Sequence, residues 1–247
     1  MLQNYIKSTN INPHVSVDCV IFGFDFTGLK VLLIERKREN QKINIQKNML
    51  LPGDLIRDDE DLDTAAQRVL RELTGLKNIY LTQFHSFGDP NRVSSKSDAE
   101  WLISVREQPT ARVITVAYYA LVKLHDYKPA ASSFAKKTEW CDISAIPELA
   151  FDHNLIFTKA LEHLQRTLRE HPIGFELLPK KFTLSQLQKL YEAILQIPLD
   201  KRNFLRKILK TNILIPLKEK QQGVSHKRAQ LYGFDKKNLS KVKHFGI

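Results

Sequence analysis

Residues Gly53–Leu76 read GDLIRDDEDLDTAAQRVLRELTGL, and the rest of the chain takes its meaning from this segment. Ala65, Ala66, Val69, Leu70 and Leu73 recur at the spacing of one helical face, which predicts an amphipathic helix. Arg68 and Glu72 stand four residues apart and read as a surface ion pair worth about 0.3 kcal/mol. Positions 69, 72 and 73 also share a face, so side chains there converge on one point. Only Glu72 of the three is a carboxylate. Val69 and Leu73 offer no oxygen to a hard cation such as Mg2+. A lone carboxylate on that face would rely on the phosphates of a substrate to complete a metal's coordination shell.

Charge divides the chain. Lys and Arg total 38 against 27 Asp and Glu, yet from Pro172 onward there are 16 basic and 5 acidic residues, so the whole excess of +11 lies in the last 76 residues. A cut there predicts domains over 1–171 and 172–247, the second suited to a polyanion. The two cysteines, Cys19 and Cys141, fall in apolar strand-like runs and read as small core residues, which fits a reducing cytosol. MLQNYIKSTN lacks the apolar core of a signal peptide, and no apolar run approaches the roughly 18 residues that span a bilayer. These features predict a soluble cytoplasmic protein with no membrane partner.

Around the central segment, Val15–Phe22 and Lys30–Arg36 are rich in Val, Ile and Leu and flank a Gly-containing turn, the pattern of paired strands. Ile79–Phe87 and Arg112–Leu124 predict further strands, the second a central one. Asp152 stands as N-cap to a helical stripe of Ile156, Ala160, Leu164 and Leu168. Between the later strands, 92–110 is long for a loop, and Ser97 with Glu100 predicts a capping box for a short helix before Trp101, Leu102 and Val105.

The tail carries clear helix-start signals. Thr183 and Gln186 form a capping box, stapled by Phe182 and Leu187, for a helix reaching about Leu195. After Pro198, Asp200 caps a second helix, stapled by Leu199 and Phe204, with Phe204, Leu205, Ile208 and Leu209 as its core stripe. Its first two turns present Lys201, Arg202, Asn203, Arg206 and Lys207. Ile213–Lys218 and Gln230–Phe234 predict two strands around a basic tip containing Lys227 and Arg228. Helix, turn, basic helix and hairpin is a winged helix-turn-helix layout. In it the second helix enters the major groove, where Asn and Arg read adenine and guanine.

The segment with Glu60, Arg68, Leu70, Glu72, Gly75 and Leu76, flanked by LLPGDLI and by LAFDHNLIF at 149–157, resembles the Nudix box and its landmarks. Glutamates stand at positions 69, 72 and 73 in the family's active enzymes, so the resemblance implies that Glu60, Arg68 and Glu72 are the remnant of a catalytic set, with Glu60 and Glu72 as candidate metal ligands; its leading glycine falls on Asp54, preceded here by Gly53. GFELLPKKFTLSQLQKLYEAI, PLDKRNFLRKIL and HKRAQLYGF, with FHSFGDPNR and RVITVAYYALV, resemble the Nudix-related transcriptional regulators over nearly everything after Val15. The resemblance implies an α/β fold, with an amino-terminal Nudix α/β/α sandwich that senses a metabolite, either ADP-ribose or a pentose such as arabinose. It also implies a carboxy-terminal winged helix gripping a pseudo-palindromic double-stranded DNA operator as a homodimer. Family likeness places effector contacts at Arg36, Asp54, Asp89, Arg92 and His153. No cofactor is required on this reading, and Mg2+ enters only with residual hydrolase activity. Two alternatives stay open: a metal-dependent hydrolase of ADP-ribose or a related nucleoside diphosphate, using Glu60 and Glu72 plus a carboxylate from elsewhere, and a Nudix-fold RNA-binding protein.

Overall fold

The computed structural model describes residues 11–36, 48–93, 95–133, 135–223 and 228–239. They form two compact units, one of residues up to 23 with 30–160, the other of 24–29 with 161 onward. The first is built on β1 (Ile11–Asp25), in which every residue from 16 to 24 is buried, so both faces of the strand are covered. β2 (Gly28–Arg36), β3 (Met49–Leu50), β4 (Gly53–Arg57), β5 (Thr82–Phe87), β6 (Ile114–Lys123) and β7 (Ala135–Asp142) complete the sheet. Its order is β3-β2-β1-β6-β5, with β4 paired to β1 and β7 to β2.

One face is covered by α1 (Leu62–Thr74), capped by Asp61 and closed by Gly75 in the left-handed region at φ 71°. Its stripe of Ala65, Ala66, Val69, Leu70 and Leu73 packs with Val17, Cys19 and Ile21 of β1 and Leu32 and Ile34 of β2. The start of α3 (His153–Glu170) covers the opposite face, where Phe157 meets Phe22 at 6.0 Å between ring centroids. The α/β/α sandwich read from the sequence is present. Two details differ from the expectation. Ile79 lies in the core beneath α1, where its carbonyl accepts a hydrogen bond from Gln67 Nε2, so β5 begins only at Thr82. Arg68 is buried rather than paired at the surface.

The long connection 92–110 holds α2 (Lys96–Val105). Its N-cap is Ser95, two residues before the expected Ser97, because the Ser95 hydroxyl accepts from the Asp98 backbone N–H. Asp98 anchors this helix. One carboxylate oxygen accepts from Arg36 Nη2 at 2.8 Å; the other accepts from Ser95 Oγ at 2.8 Å and from the Phe151 N–H at 3.0 Å. Arg36, 0 % exposed, also lies over the rings of Trp101 and Phe151, 5.0 and 5.6 Å from their centroids.

In the second unit β8 (Phe182–Thr183) and α4 (Leu184–Leu195) are joined by the expected Thr183–Gln186 capping box. Asp200 caps α5 (Lys201–Lys210) by accepting from the Asn203 N–H. β9 (Leu214–Lys220), β10 (Gln230–Phe234) and α6 (Lys236–Leu239) follow, and the sheet order is β8-β10-β9, all antiparallel. Phe234 is sandwiched between Phe175 and Phe182, with centroids 4.0 and 4.4 Å away. α5 packs Phe204 and Ile208 inward, while Leu209, expected in the core stripe, is 46 % exposed. Cys19 is buried, Cys141 half-buried, and both are free thiols. Among the described residues no helix is long and apolar enough to cross a membrane.

Removing one partner of a buried ion pair strands the other. Asp98→Ala is therefore expected to lower unfolding stability by about 3–5 kcal/mol, whereas Lys96→Ala, exposed on the same helix, shifts it by no more than about 0.5 kcal/mol. Equilibrium urea denaturation of both variants checks this.

Candidate functional site

α1 carries Arg68 inward, and Arg68 organises the remnant carboxylates. Its Nε and Nη2 donate to Glu60 at 2.8 and 2.5 Å, its Nη1 donates to Glu72 at 3.1 Å, and its Nη2 also reaches the Leu55 carbonyl. Arg57 adds a second bond to Glu72 at 3.3 Å. The Arg68 guanidinium holds the Glu60 carboxyl below the usual carboxylate range, against its partial desolvation. Two arginines thus neutralise two glutamates. Val69 and Leu73, each 1 % exposed, are part of the hydrophobic core. Among the described residues no three of His, Cys, Asp and Glu converge as ligands. Glu60 and Glu72 are thus held by contacting guanidinium groups rather than turned together toward one point.

Beside this segment lies a cavity of about 340 Å3, lined by Asp18, Asp54, Arg92, Trp101, Arg106, Phe151 and His153 among others. Its floor is a buried polar chain. Ser16 Oγ donates to Thr115 Oγ1, which donates to Asp18 Oδ2 at 2.6 Å. Arg92, from the loop after β5, makes a bidentate pair with Asp152 at 2.7 and 3.0 Å and stands 3.7 Å from Asp18. His153 Nδ1 accepts from the Leu51 N–H at 2.9 Å, so the neutral ring carries its proton on Nε2, which faces Asp18 at 3.5 Å. Burial lowers the His153 pKa and favours that neutral form. Gly53 stands opposite Asp18 in the β1–β4 register, and a Cβ there would fall 1.8 Å from Asp18 Oδ1. The glycine is required by close approach, not by backbone angle.

In the second unit Lys201, Arg202, Asn203, Arg206 and Lys207 are all exposed on α5, and Arg228 is exposed before β10. Arg206 Nη2 donates to Asn203 Oδ1 at 2.8 Å, so the two side chains form one surface unit. Lys227 lies outside the described residues.

Residues 12–160 match the NUDIX domain family, and residues 174–234 match the NrtR DNA-binding winged helix domain. The chain belongs to the Nudix-related transcriptional regulators. Over 94 % of its length this regulator is 31 % identical to the ADPR responsive transcriptional repressor NtrR of Acinetobacter baylyi, covering 86 % of that protein. It is similar to the crystal structure of Shewanella oneidensis NrtR complexed with a 27mer DNA, with TM-score 0.63 and 25 % identity over 92 % of this chain and 95 % of that one. An ADP-ribose pyrophosphatase of Methanocaldococcus jannaschii is 28 % identical over 59 % of the chain, covering 72 % of that enzyme.

Of the effector contacts expected from the regulator family, Asp54, Arg92 and His153 line the cavity. Arg36 is enclosed behind α2 because it is the partner of buried Asp98, and Asp89 lies in an exposed turn, where its carboxylate accepts from the Asn91 N–H. Asp18, Trp101, Arg106 and Phe151 also border the cavity and were missed. For Asp18 a signal existed: it is the one charged residue in the apolar run VSVDCVIF. Gly53→Ala is expected to cost about 1–3 kcal/mol through overpacking against Asp18, measured as a lower denaturation midpoint with unchanged m-value.

Proposed function

We propose that the chain is a DNA-binding transcriptional repressor whose Nudix domain binds ADP-ribose, and whose grip on its operator that nucleotide controls. The observation that carries this is the end-to-end correspondence with an ADP-ribose-responsive repressor, spanning both the cavity and the cation-bearing α5. The cavity volume falls in the usual range of about 300–1,000 Å3 for small-molecule sites. A pentose sensor has no comparable support. The hydrolase alternative is the less supported reading, since Glu60 and Glu72 are held by Arg57 and Arg68.

The DNA-reading set is Lys201, Arg202, Asn203, Arg206 and Lys207 of α5, with Lys227 and Arg228 of the wing supplying phosphate contacts. A homodimer presents two such helices to two half-sites related by the same two-fold axis. ADP-ribose alters operator affinity only by binding the two conformations unequally, so as an inducer it favours the form that does not hold DNA. Effector contacts are assigned to Asp54, Arg92 and His153 on the cavity wall.

Gel-shift titration of the full chain on duplexes selected from a random library tests this. Binding that is strongly salt-dependent and relieved by ADP-ribose, but not by arabinose, is the expected result. Preference for RNA over duplex DNA, or turnover of ADP-ribose with Mg2+, overturns it.

Arg206→Ala is expected to cost about 1–3 kcal/mol of base discrimination. Asn203→Ala affects the same base pair, and the double variant loses less than the sum, because Asn203 orients Arg206. Arg228→Ala instead weakens all sequences alike and lowers the salt slope by about one.

A further inference from the structure

We propose that Arg106, at the end of α2, is the anion-recognition residue of the cavity, binding the phosphate groups of the nucleotide without a divalent cation. This rests on the ADP-ribose reading and names the group that makes it work.

Two guanidinium groups and one imidazole line the cavity. Arg92 is committed to the bidentate pair with Asp152, and His153 is neutral with Nδ1 already accepting from Leu51. Arg106 is different: among the described residues no carboxylate stands within 4 Å of its guanidinium, and its side chain makes no hydrogen bond. Burial pushes its pKa down, while the more distant Asp54 and Asp18 pull the other way. A cation partly removed from water without a contacting counter-ion is costly, and a phosphate supplies that counter-ion in the planar geometry a guanidinium prefers.

The acidic wall does not defeat this. Asp18 accepts from Thr115 and faces Arg92 and His153, so its charge is already matched. Burial raises the Asp54 pKa, against the pull of its hydrogen bond from the Leu55 N–H and of Arg106 and Arg68, and its carboxylate makes no contact with Arg106. Glu107 is exposed, where water and salt screen it. Nor does a cation from the Nudix segment fill the role, since Glu60 and Glu72 are neutralised and Val69 and Leu73 are in the core.

Placement of Arg106 follows from the buried anchor. Asp98 ties α2 to Arg36 at the end of β2 and to the backbone at Phe151, and the Arg106 N–H closes the helix on the Leu102 carbonyl. Asp98 is therefore a positioning residue for the anion site.

Calorimetric titration of the full chain tests the proposal with ADP-ribose, inorganic pyrophosphate and adenosine, each in EDTA and in Mg2+. Wild type is expected to bind ADP-ribose equally in both. Arg106→Gln is expected to weaken ADP-ribose and pyrophosphate by about tenfold or more and leave adenosine unchanged, with Arg106→Lys recovering part of the loss. A thermal melt matching wild type shows that the variants are folded. Unchanged ADP-ribose affinity in Arg106→Gln, or wild-type binding that requires Mg2+, overturns the proposal. If wild type ignores ADP-ribose, the effector reading fails separately. Pyrophosphate binding that depends on Arg106 then still supports the anion site, and its absence removes that as well.

Discussion

The carboxylate of Asp18 sits in the middle of β1 at 4 % exposure, and the elements around the cavity are arranged to solvate it. Thr115 of β6 donates to one oxygen, Arg92 from the loop after β5 stands against it, and His153 at the start of α3 turns its Nε2 toward the other. β4 passes so close that only a glycine fits opposite. A buried charge left unmatched costs several kcal/mol, so these partners cannot drift independently. One polar group in an apolar strand thereby sets the identity of residue 53, faces the Nε2 of His153 and helps fix the seat of Arg92.

A related exchange holds the glutamates of the Nudix segment. In the helix α1, Arg68 satisfies Glu60 and Glu72 from within the protein, and Arg57 supplies the second positive charge. Val69 and Leu73 bring no charge to that face and extend the core against β1 and β2. The segment keeps its helical geometry and its place beside the cavity.

Much of this was legible in the linear chain. The helix of 62–74, the Thr183–Gln186 capping box, the Asp200 cap and the hairpin strands were all anticipated, because periodicity and capping are local and need only a few neighbouring residues. The cavity was legible only in part. Asp54, Arg92 and His153 were named from family likeness, while Arg36 proved to be a buried anchor and Asp89 a turn residue. Trp101 was read only as a helix residue and Arg106 not at all, because they sit in an insertion whose role depends on what it folds against. The N-cap of α2 was placed two residues late for the same reason: Ser95 is selected by Asp98, whose own position answers to Arg36, 62 residues away.

The sequence by itself determined the class of fold, the helix-turn-helix order of the tail and the concentration of positive charge there, since each follows from spacing, capping and composition. Only the tertiary structure decided which charged groups are spent on one another and which remain for a ligand. That distinction depends on distances between residues far apart in the chain. Arg36, Arg68 and Arg92 read alike as letters, yet each is already paired in the fold, and Arg106 alone among the guanidinium groups lining the cavity keeps its charge uncommitted.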